Sequence, residues 1–183
     1  MSETESDLIQ ASKKDLKNFA PIYDRYYASI FRFVYKRVSD KEQTADLASQ
    51  VFLKAMLNIK KYEDRGFPFS AWLFRIAINE VNMFYRKKKK DVHVSITGME
   101  IREMLHEMDH GEIEFRQQSV VNALNNLPQE KSQLIDLRYF EKCSYREIGE
   151  IYGISEANAK MRVRRTLQLI KRSISLKKPN EEI

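Results

Sequence analysis

The chain has 183 residues, a formal net charge of +6 and 43% hydrophobic residues, which allow one or two domains with a real core. Its five glycines and four prolines are too few turn-forming residues for a sandwich or barrel of many short strands. No apolar run approaches the roughly 18 residues of a membrane span, and the acidic N-terminus lacks a secretory h-region. We therefore expect an all-α, soluble, cytoplasmic protein.

The charge divides the chain into segments. Residues 11–91 carry 18 Lys and Arg against 9 Asp and Glu, and residues 119–178 carry 12 against 6. Between them, residues 92–118 carry 2 bases against 6 acids. Two basic blocks around an acidic connector favour a polyanion such as nucleic acid as partner. The alternative is two ordinary helical domains whose lysines simply face water.

The first block, residues 11–90, begins with a long amphipathic pattern. Apolar residues recur at three- and four-residue steps from Leu16 to Val34, which predicts one long helix that ends near Ser39. Asp40 then stands where the N-cap of a second helix is expected.

The rest of this block predicts two more helices and a loop. The second helix covers roughly 41–60, and a third covers 71–89 with Ser70 as its N-cap. Residues 62–69, YEDRGFPF, contain glycine and proline and are predicted to be the loop between these helices.

A linker and a second helical domain follow. Residues 91–117 show no sustained helical period and are predicted to be an acidic linker. The second domain, residues 118–176, contains a capping box that opens at Ser144, a break at Gly153 and a further N-cap at Ser155. The predicted fold is two small helical domains joined by a linker.

The end of the second domain predicts a helix-turn-helix. Two helices cross closely only if a small residue lies at the crossing, and Gly149 stands there. Asn can pair with adenine, and Arg or Lys with guanine, in a major groove. The alternative is a helical hairpin that packs on a protein partner. The residues expected to face the groove are Ser155, Glu156, Asn158, Lys160, Met161, Arg162 and Arg165.

Four stretches, in this order, resemble a family: the bacterial RNA polymerase sigma factors of the extracytoplasmic-function (ECF) type, within the sigma-70 family. The resemblance implies a transcription initiation factor without catalytic activity, metal or cofactor. It would recognise the −10 and −35 promoter elements and assist DNA melting. The stretches are FAPIYDRYYASIFRFVYKRV, TADLASQVFLKAMLNIKKYE, FPFSAWLFRIAINEVNMFYRKKKK and LPQEKSQLIDLRYFEKCSYREIGEIYGISEANAKMRVRRTLQLIK.

The resemblance assigns roles to the first domain. The second helix looks like the segment that docks on the clamp helices of the largest polymerase subunit, through Asp46, Gln50, Leu53, Lys54 and Leu57. The loop and third helix resemble the element that melts the −10 box, where aromatic rings can stack on unpaired bases. Its expected DNA-binding residues are Tyr62, Phe67, Phe69, Trp72, Arg75, Asn79, Asn82, Arg86 and Lys87.

The resemblance also implies partners for the remaining segments. The second domain would read the −35 box, and the helices around residues 127–140 would hold the polymerase β flap. The acidic linker could thread a basic channel of the enzyme. An anti-sigma factor that masks the docking surface is a further implied partner.

Three rival interpretations accompany this one. The sequence HEMDH, residues 106–110, matches a zinc-protease motif, but Asp109 and Gly111 do not suit a metalloprotease helix, and we predict no metal site. A repressor or response-regulator output domain could use the same helix-turn-helix as a dimer on DNA alone. Cys143 is predicted to be a small buried hydrophobe and not a redox sensor.

Overall fold

The computed structural model describes residues 4–88 and 117–175, and all regular structure within these ranges is helical. The chain divides into two compact units, with the main boundary after Asp91. The all-α fold class is therefore confirmed. No helix within the described ranges is both long and apolar enough to cross a bilayer.

Within residues 4–88, the first unit contains four α-helices and two short 3-10 turns. Helices α2, α3 and α4 form its core, which is lined by fully buried side chains such as Phe33, Val51 and Leu73. The α-helices are α1 (Glu5–Lys14), α2 (Ala20–Val38), α3 (Lys41–Asn58) and α4 (Phe69–Lys88), and the 3-10 turns are Leu16–Phe19 and Ile59–Lys61.

The predicted long helix is confirmed as α2, which ends at Val38 just before Ser39, but its predicted first turn, Leu16–Phe19, is 3-10 and not α-helical. The carboxylate of Asp15 accepts a hydrogen bond from the backbone of Lys17 at 3.0 Å and caps this 3-10 turn. Upstream, Thr4 and Asp7 form a reciprocal capping box that starts α1, a helix the periodicity did not reveal. The predicted apolar stripe is also interrupted, since Leu16 is 39% exposed.

The predicted caps of the next two helices have different outcomes. Asp40 accepts a hydrogen bond from the backbone of Gln43 at 2.9 Å and is the N-cap of α3, as predicted. Helix α4 begins at Phe69, so Ser70 lies inside its first turn and the prediction of a Ser70 cap is wrong. The N–H of Phe69 instead donates to the carboxylate of Glu5, 64 positions earlier in the chain.

The second unit is a smaller helical bundle that ends in one long helix. Its core contains Leu124, Ile135, Ile148 and Val163, all at most 1% exposed. The α-helices are α5 (Gln117–Asn125), α6 (Gln129–Ile135), α7 (Tyr145–Tyr152) and α8 (Glu156–Ser175), with a π-helical turn Asp136–Phe140 after α6.

The predicted helix-turn-helix is formed by α7 and α8. Ser144 caps α7 through a reciprocal box with Glu147, as expected from the sequence. Gly153 has a φ of +66°, a backbone conformation that favours glycine. A Cβ atom on Gly149 would lie 2.7 Å from the carbonyl oxygen of Ile154, so only glycine allows this close approach. The predicted need for a small residue at the crossing is confirmed.

Candidate nucleic-acid and polymerase interfaces

The N-terminal half of α8 presents most of its predicted groove-facing residues to solvent. Ser155, which caps the helix by accepting a hydrogen bond from the backbone of Asn158 at 3.2 Å, is exposed with its neighbour Glu156. Lys160 and Arg165 are exposed, and Met161 is 42% exposed. The opposite side of α8 is anchored by Ala159 and Val163, which are fully buried. The helix therefore separates a fixed inner face from an accessible cationic outer face.

Arg162 does not extend freely from this face. Its Nε lies 3.2 Å from the side-chain oxygen of Asn158, one turn earlier. Its Nη1 lies 2.8 Å from the carboxylate of Glu130 on α6. Asn158 and Arg162, both half-buried, are thus held by bonds within the second unit, and Glu130 neutralises part of the charge of the predicted DNA-reading face.

Helix α4 carries the polar face that the sequence predicted. Arg75, Asn79, Arg86 and Lys87 are exposed, and Asn82 is half-buried. The steps from Arg75 to Asn79, Asn82 and Arg86 are four, three and four residues, which keeps these side chains along one side of the helix.

A groove of about 550 Å³ lies between α3 and α4 beside this face. It combines apolar surface from Trp72 and Met83 with amide and cationic groups. A planar ring could therefore pack against the apolar atoms while the cationic groups neutralise a nearby anion. Sequence reasoning missed the contribution of α3 to this face. The lining residues are Lys54, Asn58, Lys61, Trp72, Ile76, Asn79, Glu80, Met83 and Arg86.

Two of the predicted base-stacking rings are buried. Phe69 is 0% and Tyr62 is 8% exposed, so neither ring can stack on a base in this conformation, and their predicted role is corrected. The two ring centroids are 5.0 Å apart, and each is 5.2 Å from that of Trp72. Burial raises the pKa of Tyr62 to about 12, with Asp64 and Glu5 adding to the effect. Trp72 and Phe67 are half-buried and keep some accessible surface.

The predicted polymerase-docking residues of α3 fall into two groups. Asp46 and Gln50 are exposed. Leu53 and Leu57 are also exposed, by 51% and 65%, and these two leucines form an apolar strip on the surface of α3. Lys54 differs, because its Nζ lies 2.5 Å from the carboxylate of Glu80 on α4, which is 4% exposed. The structure therefore gives Lys54 a role in joining α3 to α4.

An aromatic ladder on α2 was missed by the sequence analysis. Tyr23, Tyr27, Phe31 and Tyr35 follow one another at four-residue steps, with centroid distances of 5.0, 5.7 and 6.2 Å. Tyr23 and Tyr35 are 37% and 38% exposed. Tyr23 also contacts Phe52, the neighbour of Leu53, so the ladder extends the apolar surface of α3. The four-residue repeat is visible in the sequence, but of its members only Tyr23 belonged to the predicted apolar stripe.

Two further predictions have separate outcomes. Cys143 is 6% exposed, which confirms that it is a buried residue, and burial raises the pKa of its thiol from 9.0 to about 12. The HEMDH motif, residues 106–110, and the linker, residues 91–117, lie outside the described residues except for the backbone of residue 117.

Comparison with protein families decides the assignment. The model described as sigma-70 region 2 matches residues 22–91, which include most of α2 and all of α3 and α4. The model described as sigma-70, region 4 matches residues 123–172, which include the helix-turn-helix. The chain belongs to the sigma-70 family. The polar face of α4 and the strip on α3 are thus region 2 surfaces, and the outer face of α8 is a region 4 surface.

Curated relatives place this sigma-70 chain among the ECF type. It is 29% identical over 175 residues to the ECF RNA polymerase sigma factor SigW of Bacillus subtilis, covering 90% of this chain and 93% of the relative. It is 28% identical over 152 residues to SigM of the same organism, another ECF sigma factor, covering 82% and 91% of the two chains.

Solved structures with the same fold include two protein complexes. CnrH, solved with the cytosolic domain of CnrY, has a TM-score of 0.63 at 17% identity and covers 93% of this chain and 97% of its own. RpoE of Bartonella quintana, solved with the anti-sigma factor NepR, has a TM-score of 0.59 at 21% identity and covers 88% and 99%. At these identities the likeness establishes the fold.

Proposed function

We propose that this chain is an ECF-type transcription initiation factor that binds core RNA polymerase and directs it to specific promoters. The observation that carries the proposal is the presence of two different surfaces in one sigma-70 chain. The second unit has an exposed cationic recognition helix, and the first has an exposed apolar strip beside a polar helix face. A protein that only bound duplex DNA would need the cationic recognition helix alone.

The outer face of α8 would read the −35 element. Lys160 and Arg165 can reach phosphates or guanine edges, because both are exposed on a helix whose inner side is fixed by Ala159 and Val163. The Arg162–Glu130 pair is more than a third exposed at both side chains and can therefore exchange for a DNA phosphate at little cost. Asn158 becomes available for an adenine contact when Arg162 moves.

The α4 face and its groove would bind the opened −10 strand. Asn79 and Arg86 line the groove together with Trp72 and Met83, which places hydrogen-bonding groups beside an apolar surface. One unstacked base on such a surface gains about 1–3 kcal/mol, comparable to the loss of one stacking step. Tyr62 and Phe69 would support Trp72 from the core.

The exposed strip on α3 would dock on the clamp helices of the polymerase. Leu53 and Leu57 supply apolar area, and Asp46 and Gln50 supply polar contacts at its edge. The aromatic ladder of α2 would enlarge this surface. We assign the polymerase β flap to the second unit, and an anti-sigma factor to the docking surface, where it would compete with the polymerase. The chain would perform no chemistry itself and would act in the cytoplasm.

Run-off transcription with purified core polymerase and genomic fragments tests the proposal. Specific transcripts that appear only when the chain is added support it, and the absence of a transcript from any fragment contradicts it. Holoenzyme binding to promoter DNA should also weaken with salt, with a slope of about −5 in log–log terms if six phosphates are neutralised.

A further inference from the structure

Helix α1 contacts both ends of the loop that precedes α4. At the far end of the loop, the Glu5 carboxylate accepts a hydrogen bond from the N–H of Phe69, the first residue of α4, at 3.2 Å. The other oxygen of Glu5 accepts a hydrogen bond from the hydroxyl of Tyr26 on α2. Desolvation and this bond raise the pKa of Tyr26, so the phenol remains a donor.

The near end of the same loop is held by Lys13. Its Nζ donates to the carbonyl oxygen of Tyr62 at 2.6 Å and lies 5.6 Å from the centroid of the Tyr62 ring. The loop, residues 62–69, is thus held at both of its ends, and α1 supplies a charged side chain at each end.

The carboxylate of Glu5 supplies the acceptor for the start of α4 that the neighbouring sequence does not supply. The first turn of α4 contains no acidic residue. The first N–H groups of a helix have no partner within it, and they carry partial positive charge. Glu5 provides an acceptor and a negative charge there, and its bond to Tyr26 fixes that acceptor relative to α2.

These contacts connect α1 to Trp72 through the two ends of the loop. Trp72 lies one turn after Phe69, and its ring packs against those of Phe69 and Tyr62, each with a centroid distance of 5.2 Å. The same ring lines the groove between α3 and α4. A shift of either loop end would therefore move the surface on which an unstacked base would rest.

We propose that Glu5 and Lys13 are positioning residues for promoter opening, which hold the ends of the loop and thereby orient Trp72 toward the opened strand. This inference rests on the proposed function. It gives α1, which precedes region 2, a direct part in DNA melting. That part is distinct from polymerase docking and from −35 recognition.

The test compares opening on two templates with reconstituted holoenzyme. Glu5→Ala should slow open-complex formation on duplex promoter about fivefold, the loss expected from removal of one helix cap. On a template already unpaired at the −10 element, its rate should stay within about twofold of wild type, since opening is no longer required. Lys13→Met should behave in the same way. Asp24→Ala and Lys14→Met, which remove exposed charges on α2 and α1, are the matched controls and should open DNA at the wild-type rate.

A conservative variant and a spectroscopic measurement separate positioning from loss of fold. Glu5→Gln keeps one acceptor for the Phe69 N–H and should restore part of the rate lost in Glu5→Ala. Trp72 is the only tryptophan, so its emission in the free protein reports directly on this ring cluster. Glu5→Ala should shift that emission to longer wavelength while the helical circular dichroism stays unchanged.

Several results would overturn the proposal. Wild-type opening rates in Glu5→Ala, an equal loss on both templates, or unchanged Trp72 emission would each exclude positioning. These results leave the proposed function intact if the wild-type holoenzyme transcribes. An inactive wild-type holoenzyme would instead refute the proposed function and this role with it.

Discussion

Arg162 on the recognition helix and Glu130 on α6 form an ion pair in which Nη1 and Oε1 are 2.8 Å apart. The side chains are 38% and 60% exposed, so the pair contributes no more than about 1 kcal/mol to stability. Its importance is for binding, because a carboxylate beside a DNA-reading arginine competes with phosphate for the same guanidinium.

Glu130→Gln should therefore strengthen −35 binding. We expect holoenzyme affinity for promoter DNA to rise about two- to fivefold at low salt, because a competing pair worth a few tenths to 1 kcal/mol is removed. Filter binding over a salt series measures this. Glu42→Gln removes an exposed carboxylate from the first unit and controls for net charge. Weaker DNA binding in Glu130→Gln would contradict the account.

Arg162→Ala and Arg165→Ala should weaken −35 binding and spare polymerase binding.

Leu57→Ala should weaken polymerase binding without loss of stability. Leu57 is 65% exposed, and truncation of such a residue on a helix changes the free energy of unfolding by about 0.5 kcal/mol or less. A contact near the centre of a docking surface contributes about 1–2 kcal/mol, so Kd for core polymerase should rise about tenfold. Fluorescence anisotropy with labelled protein measures it. Leu16, 39% exposed on the 3-10 turn before α2, gives a matched Leu→Ala control. An unchanged Kd would remove Leu57 from the docking surface.

Lys54→Met should reduce the stability of the first unit. The Glu80 carboxylate, 4% exposed, would lose its Lys54 partner, and because the lysine itself is 44% exposed we expect a cost of about 1–3 kcal/mol. The double variant Lys54→Met with Glu80→Leu should recover much of this loss, since no buried charge is then left alone. Thermal unfolding compares the two. A single variant as stable as wild type would show that the pair does not join α3 to α4.

Gly149→Ala should destabilise the helix-turn-helix more than Gly153→Ala. At Gly149 the new Cβ would meet the Ile154 carbonyl oxygen at 2.7 Å, and backbone cannot move aside cheaply, so we expect about 3 kcal/mol. At Gly153 the space is open and the cost is backbone strain alone, about 1–2 kcal/mol at a φ of +66°. Chemical denaturation of the two variants gives the order, and the reverse order would contradict this packing.

Local patterns predicted much of the fold. The capping box at Ser144, the N-cap at Asp40, the glycine turn and the close approach at Gly149 all depend on neighbours within a few positions, and the sequence displays these directly. Helix α1 was missed because its few apolar residues, chiefly Leu8 and Ile9, are too few to show a helical period. The correct cap of α4 was also missed, because Glu5 comes from 64 positions away.

In the candidate site, too, features that depend on near neighbours were predicted and features that depend on tertiary contacts were not. Exposed polar residues on one helix face, such as Arg75 and Asn79, follow from helical spacing alone. Burial of Tyr62 and Phe69 does not, because an aromatic residue beside a loop suits either the core or a ligand, and only the packing of α1 against the loop decides between them. The pairing of Lys54 with Glu80 likewise requires the contact between α3 and α4.

The most direct test of the central claim is promoter binding with and without core polymerase. We expect the chain with polymerase to bind its promoter at least about 100-fold more tightly than the chain alone, because the two units then engage one DNA molecule together. Equally tight binding by the free chain, as a dimer on a two-fold symmetric duplex, would contradict the account and identify a stand-alone helix-turn-helix regulator.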